Sequence, residues 1–518
     1  MNSNLYLLDC TLRDGGYINE WKWGYHTAKE IINLLVKANI DVVEVGFLKN
    51  VEDYNPDITT CNYIEELNRL LPSHKNDTIF SAMAMRSNYD ISKLTPYSGH
   101  GIEMIRVTAH DYDIMEGIDF AKEIKTKGYK LSINPINIMG YSDKQILWII
   151  DQVNKIHPYQ FSVVDTFGSM KRRDLDRIVS LVDNNLDKNI RLALHLHENM
   201  ALGCLLAQNF ADMHLGRPVA IDGSLMGMGR IPGNLPIELI ADYLNEYVDK
   251  SYDIDYMMDA IEEYIAPIKG MSKWGYTPAY FLSARFNLHR NYAEYYLQKG
   301  DLTNRDINHI LAGFDRDKAT TFDVDYAERR YREYQNHNID DTATRKILAN
   351  IFCGKTILII APGPTIKTHK NAILNYIEHY HPITIAANFI PESYDIEYAF
   401  FCNNKRFNKL EKRNCKIIAT SNLSGHNVDY YIDYNSLSSV FNLGGNSLMM
   451  LLNLFQDMNV GTVALAGADG FTADRSNYYR SDIRSRAKHD NGYNLTISKA
   501  IKNTRLHIAF VTPSFYDI

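Results

Sequence analysis

The segment LYLLDCTLRDGG, Leu5 to Gly16, reads as a short apolar strand that runs directly into a polar loop ending in two glycines. A strand whose C-terminal end carries Asp9, Arg13 and Asp14 delivers charged side chains to one rim of a sheet, which is where parallel α/β folds build their sites. Working outward from it, the same alternation of an apolar run and an amphipathic stretch recurs to about residue 250. The runs are Leu5–Asp9, Asp41–Phe47, Thr78–Ala84, Met104–Thr108, Lys130–Asn134, Gln160–Val164, Arg191–Leu196 and Val219–Asp222. Apolar residues at helical spacing fill the intervals, as in His26–Ala38, Lys144–Ile156 and Lys171–Asn184. Eight strands with a helix after nearly every one, in roughly 250 residues, predict a closed (β/α)8 TIM barrel.

The chain has 518 residues, more than one hydrophobic core of roughly 100–200 residues would use. Three segments are expected: the barrel over 1–270, a Tyr- and Asp-rich helical extension and connector over 271–345, and a smaller open α/β, Rossmann-like domain over 346–518. In the last, a strand running into Ala361-Pro-Gly363-Pro-Thr365 is followed by strands at Ile383–Ala387, Tyr398–Cys402, Cys415–Thr420 and Thr462–Ala466 and a helix at Ser447–Met458. A hydrophobic share of 45% with 23% charged residues fits folded globular units. The net charge of −7 supplies no field that would attract nucleic acid. No window approaches the roughly 20 apolar residues of a membrane span. The start lacks a secretory signal, and the six cysteines are scattered without a CxxC; a reduced, cytoplasmic protein without structural zinc is expected.

The strand ends are rich in chemistry. Strand two carries Glu44, strand four Arg106 followed by His110, strand six runs into Asp165-Thr166, and strand seven gives His195-Leu-His197. Residues two apart on a strand share a face, so both imidazoles can point into the barrel mouth. With a carboxylate from Asp14 they form a two-His, one-carboxylate set that leaves positions open for substrate. Such a site suits Mn²⁺ or Mg²⁺, with Co²⁺ and Zn²⁺ as alternatives.

Five motifs occur in order on successive strands: TLRDG, IRVTAH, VVDTFG, LHLHENMALG and DGSLMGMGRIPGNLPIE. Together they resemble the metal-dependent lyase barrels that include 4-hydroxy-2-oxovalerate aldolase, hydroxymethylglutaryl-CoA lyase and isopropylmalate synthase, the aldolase group most of all, over about residues 5–285. The resemblance implies a carbon–carbon lyase acting next to a 2-oxo acid, with an aldehyde as the second reactant and a divalent metal as cofactor. It assigns the metal to Asp14, His195 and His197, with Asn234 as an additional ligand, and the stabilisation of an enolate to Arg13. Glu44, Arg106 and Thr166 are candidate substrate-binding residues. The aldolase group carries a histidine base three residues after the metal-binding aspartate, where this chain has Tyr17. A tyrosine with its ordinary pKa near ~10 is a poor base at neutral pH, so His110, Glu44 and Tyr280, the last in the GYTPAY run, are further candidates for proton transfer. Asp9 and Asp165 are expected to orient loops or ligands.

The C-terminal unit resembles the nucleotide-binding units of bacterial sialyltransferase-like and motility-associated glycosyltransferase-like (6-hydroxymethylpterin diphosphokinase-like) domains, on the Ala361–Thr365 turn, the Leu443–Ser447 glycine turn and Leu465–Gly470. The implied ligand is a nucleotide or nucleotide sugar, with Gly363, Thr365, Asn388, Ser447 and Asp469 as contacts. Gly354-Lys355-Thr356 is not a Walker A loop, because it precedes its strand. The reading is a bifunctional, homo-oligomeric enzyme of surface-carbohydrate synthesis. Two alternatives stand beside it: an acyl-CoA condensing enzyme or acyl-CoA lyase on the same barrel, and a scaffold that binds ligand without turning it over.

Overall fold

The structure is a computed structural model that describes residues 4–230, 232–271, 274–410, 414–438, 443, 445–472, 477–480, 483 and 491–517. The chain divides into two compact units, Met1–Arg290 with Asp315–Thr321, and Asn291–Phe314 with Phe322–Ile518.

In the first unit eight strands close a parallel barrel: β1 (Leu5–Asp9), β2 (Val42–Leu48), β3 (Ile79–Ala84), β4 (Met104–Ala109), β5 (Lys130–Pro135), β6 (Gln160–Asp165), β7 (Arg191–Leu196) and β8 (Val219–Gly223). Each pairs in parallel with its neighbour, and β1 pairs with both β2 and β8. A two-residue strand, Thr60–Cys61, adds to β2 outside the ring. The strands are buried on both faces, as parallel strands under a layer of helices must be. The helices turn their apolar stripes inward; Ile146, Ile149, Ile150 and Val153 do so on Asp143–Ile156. One irregularity bears on the site. The register of β2 against β3 shifts between Glu44 and Gly46, a bulge of the kind that re-aims a side chain at the rim of a barrel.

The second unit is a seven-stranded parallel sheet: β9 (Ile357–Ile360), β10 (Ile383–Ala387), β11 (Tyr398–Phe401), β12 (Lys416–Thr420), β13 (Tyr430–Ile432), β14 (Thr462–Ala466) and β15 (His507–Phe510), in the order β13-β12-β11-β10-β9-β14-β15. β13 and β15 escape a reading of the sequence because they are three- and four-residue edge strands, only partly buried and without a sustained apolar run. The order reverses at β9, with β10 on one side and β14 on the other, and such a switch point opens a crevice at the strand ends. Helices Asn291–Lys299, Asn304–Ala312 and Val324–Gln335 belong to this unit, joined by a tyrosine-rich core in which Tyr292 and Tyr296 meet Phe314 edge-on. Helix Pro278–Ala284 belongs to the barrel unit. Among the described residues no helix is long and apolar enough to cross a membrane, and the cysteines are free.

Candidate metal centre and second-unit cavity

The loop after β1 is held rigidly. Asp9 accepts the amide and hydroxyl of Thr11 at 2.9 and 2.7 Å, and the indoles of Trp21 and Trp23 donate to the carbonyls of Arg13 and Leu12 at 2.8 and 3.1 Å. Arg13 and Asp14 are thereby fixed at the barrel mouth, both buried. Arg13 Nε donates to Glu44 Oε2 at 2.7 Å and its Nη1 lies 3.1 Å from Asp14 Oδ1. Glu44 also receives Arg106 Nη1 at 3.1 Å, and Arg106 Nη2 donates to Asp222 at the end of β8. Burial alone would raise the carboxyl of Asp14, but Arg13 and His195 outweigh it and hold the group well below the usual carboxylate range.

Each imidazole of the His-x-His pair is oriented through its Nδ1. His197 Nδ1 lies 2.9 Å from the carbonyl oxygen of Asp165, which can only accept, so Nδ1 carries the proton and Nε2 the lone pair. His195 Nδ1 lies 3.1 Å from Asp222 Oδ2, and its Nε2 is 3.4 Å from Asp14 Oδ2. The rings sit 4.9 Å apart, centroid to centroid. Burial would lower His195, but Asp14 and Asp222 more than compensate and raise it above the ordinary imidazole value; burial pushes His197 down to about 4. Asn234, bridged to His197 through the backbone, donates from Nδ2 to Asp14 Oδ2 at 3.1 Å, which leaves its buried Oδ1 without a hydrogen-bond partner. Gly229 permits this approach, because a Cβ there would come within 2.5 Å of Asn234 Nδ2.

These donors fit a divalent cation. Two imidazoles with outer partners on Nδ1, an ionised carboxylate and an orphaned amide oxygen form an N/O set, and the orientation by Asp222 and the Asp165 carbonyl is what metal-binding histidines require. Among the described residues, the ligand atoms that all lie within 4.8 Å of one another are those of Cys10, Asp14 and His195, with His197 outside that group. Cys10, however, donates its thiol to the Gly223 carbonyl at 3.2 Å, and burial raises its pKa further, so the group is a neutral thiol and a poor ligand.

A cavity of about 170 Å³ opens above this centre. Arg13, Asp14, Tyr17, Arg106, His110, Thr166, His195 and His197 line it; Glu44 and Tyr280 are buried and lie outside the lining, Glu44 beneath the two arginines and Tyr280 in its helix. Thr166 accepts the amide of Asn137 at 2.7 Å, so its hydroxyl proton is free to donate elsewhere. Tyr17 is 42% exposed, yet desolvation of its hydroxyl among the residues of the mouth raises it, against service as a base, whereas burial lowers His110 and keeps it neutral, with its Nδ1 unpartnered. Asp165 accepts the amides of Ser169 and Met170 and so orients its loop. Five polar lining residues escaped the sequence: Thr108, Asn134, Arg230, His289 and Arg290. Arg230 Nη2 lies 2.9 Å from His289 Nε2, and burial together with Arg230 pushes His289 down to about 3. Asp222 was missed as well, although a carboxylate at a strand end is a readable signal.

A larger cavity, about 840 Å³, lies within the second unit at the ends of β9, β10 and β14. Gly363, Asn388, Ser447 and Asp469 line it; Thr365 does not, but it donates its amide to Asp469 at 2.8 Å. Asp469 thus occupies the Thr365 amide, at the turn that the sequence suggested for an anion. Asn388 adopts a left-handed backbone, φ 62°, and its side chain is engaged by Cys402 through both ends. Gly444 lies outside the described residues.

Comparison with known proteins places this geometry in context. The model of the HMGL-like family matches residues 4–263. The 4-hydroxy-2-oxovalerate aldolase of Marinomonas sp. (strain MWYL1) is 26% identical over 279 residues, 52% of this chain and 79% of that protein. The protein of the same name from Thermomicrobium roseum is 26% identical over 274 residues, 50% of this chain and 72% of that one. Among solved structures, hydroxymethylglutaryl-CoA lyase from Pseudomonas aeruginosa superposes with a TM-score of 0.42 at 16% identity, covering 51% of this chain and 92% of that chain.

Proposed function

The chain belongs to the HMGL-like family of carbon–carbon lyases through residues 4–263, and we propose that its barrel is a divalent-metal-dependent aldolase that makes or breaks the C–C bond of a 2-oxo acid, releasing or consuming a pyruvate-type enolate and an aldehyde. The observation that carries this reading is the pair of histidines whose Nδ1 atoms are both engaged by oxygens, with His195 Nε2 3.4 Å from Asp14 Oδ2 beside the Arg13 guanidinium and His197 on the wall of the same cavity. Asp14, His195, His197 and Asn234 would hold Mn²⁺ or Mg²⁺. The cation, when bound, supplies Lewis-acid polarisation of the carboxylate and keto oxygens of the substrate.

The residues of the chain do the rest. Arg13 is pinned by Glu44 and Asp14 and offers its remaining N–H to the keto oxygen, where negative charge develops as the bond breaks. Thr166 donates its hydroxyl to the substrate carboxylate. Arg106 holds Glu44 and Asp222 in place and thereby positions both Arg13 and His195. His110 is neutral and faces the cavity, so it takes the proton of the 4-hydroxyl in cleavage and returns it in condensation. Tyr17 forms part of the wall. The volume of about 170 Å³, below that of sites for drug-sized ligands, favours a small 2-oxo acid and a short aldehyde over an acyl-CoA.

For the second unit the reading is a nucleotide or nucleotide-sugar ligand in the cavity of about 840 Å³ at the switch point of the sheet. The joining of such a unit to a 2-oxo acid lyase supports a role in surface-carbohydrate synthesis, as a cytoplasmic homo-oligomer. The test of the barrel reading is incubation of the Mn²⁺-loaded protein with a series of 4-hydroxy-2-oxo acids and quantitation of pyruvate and aldehyde. Equimolar release, lost in His110→Ala, is expected. Turnover of acyl-CoA thioesters and of no hydroxy-oxo acid would overturn the reading.

A further inference from the structure

Two helix starts face the cavity of the second unit, and both are capped from within the chain. Asp469 takes the amide and hydroxyl of Thr365, and Asn446 takes the amide of Met449 at 3.1 Å. At each helix start one amide that could have held a phosphate, that of Thr365 and that of Met449, is therefore engaged by an oxygen atom of the protein itself. What the cavity leaves open is an acceptor. Asp301, between helices Asn291–Lys299 and Asn304–Ala312, lines the cavity and is 6% exposed. Its Oδ2 accepts the Tyr331 hydroxyl, while its Oδ1 is buried with no hydrogen-bond partner among the described residues. A buried carboxylate oxygen left without a donor is among the most expensive groups a fold can carry.

The surroundings show that this is a prepared position. Gly445, at φ +78°, lets the carboxylate close on the glycine turn, since a Cβ there would stand 3.0 Å from Asp301 Oδ2. Of the cations on the cavity wall, Lys299 pairs with Glu328 at 2.6 Å and Arg332 with Glu328 at 2.9 Å, while Arg406 lies over the ring of Tyr478 at 5.6 Å. Tyr295 and Tyr434 also line the cavity, giving it flat faces that combine apolar area with hydroxyls. A ligand suited to this wall presents hydroxyl donors on a compact ring. We propose that the second unit binds a glycosyl- or ribosyl-bearing ligand whose hydroxyl group donates to Asp301 Oδ1. The inference rests on the nucleotide-sugar reading above and names the part of the ligand that is recognised.

The experiment is calorimetric titration of the full chain with UDP-glucose, GDP-mannose and ADP-ribose, with UDP and with glucose, repeated on Asp301→Asn, Asp301→Ala and Tyr331→Phe. In the Asn variant Tyr331 still needs an acceptor, which turns the amide NH₂ toward the cavity and puts a donor where an acceptor was. Affinity is expected to fall about ten- to a hundredfold in both Asp301 variants and to stay within about threefold in Tyr331→Phe. Matching melting curves would exclude unfolding of the variants. A loss shared by UDP and UDP-glucose assigns the contact to the ribose, and a loss confined to UDP-glucose assigns it to the hexose. Equal affinity of wild type and Asp301→Asn would overturn the Asp301 assignment and leave the nucleotide reading intact. Asp301-dependent binding of glucose alone would overturn the nucleotide reading and leave the assignment standing. Binding of none of these probes would overturn both.

Discussion

Asp222 shows how much of the centre depends on a residue that touches no substrate. It stands 3.1 Å from His195 Nδ1 and also receives Arg106, so it fixes the tautomer of His195 and raises its pKa together with Asp14. A cation must displace the proton that the raised pKa keeps on His195; affinity therefore falls as pH drops through that value and levels off above it. Asp222→Asn is expected to weaken Mn²⁺ binding about 10–100-fold on the plateau and to move the inflection to lower pH, as titration calorimetry between pH 6 and 8.5 would show. An unchanged inflection would mean that Asp222 does not govern His195. That Asp14, His195 and His197 meet at one cavity was legible because the loop motif and the period of two place them at the barrel mouth without tertiary information. Asp222 binds His195 across 27 residues and Arg106 across 116, and pairings at such separations leave no local pattern. His289 comes from beyond the barrel altogether, and a lone histidine in a helical stretch carries no signal.

The strands were the most legible elements, since an apolar run bounded by polar strand ends is a strong local signal; β1 and β7 fall where the sequence placed them. What the pattern could not convey is the bulge in β2 next to Glu44, because one extra residue in a pairing is a property of two strands. That bulged strand meets β4 and β8 through a single buried cation: Arg106 of β4 bridges Glu44 of β2 and Asp222 of β8. Removal of one partner from a buried ion network leaves uncompensated charge, so Arg106→Met is expected to destabilise the barrel by about 3–5 kcal/mol. Urea unfolding followed by tryptophan fluorescence would measure it. A loss below about 1 kcal/mol, the range of an exposed ion pair, would show that the network contributes little to holding the strands.

At the scale of the molecule, the chain builds separate hydrophobic cores for its two units, one around the barrel and one on each face of the second sheet. The tyrosine-rich helices from Asn291 onward group with the second unit, which composition alone could not reveal: tyrosines that meet as edge-on aromatic pairs and tyrosines that coat a connector look the same in sequence. Separate cores predict separate transitions in scanning calorimetry, and Mn²⁺ should raise only the one that belongs to the barrel, by about 2.7 kcal/mol at a hundredfold excess over Kd. One transition, or a shift of both, would mean that the cores unfold together. The central claim is that His195 belongs to a metal centre that supports an enolate. Its most direct test is exchange of the methyl protons of pyruvate in D₂O by metal-stripped protein, with Mn²⁺ or Mg²⁺ restored, beside the His195→Ala variant. The account predicts exchange that appears with the metal and is lost in the variant; exchange that ignores the metal, or none with either ion, would contradict it.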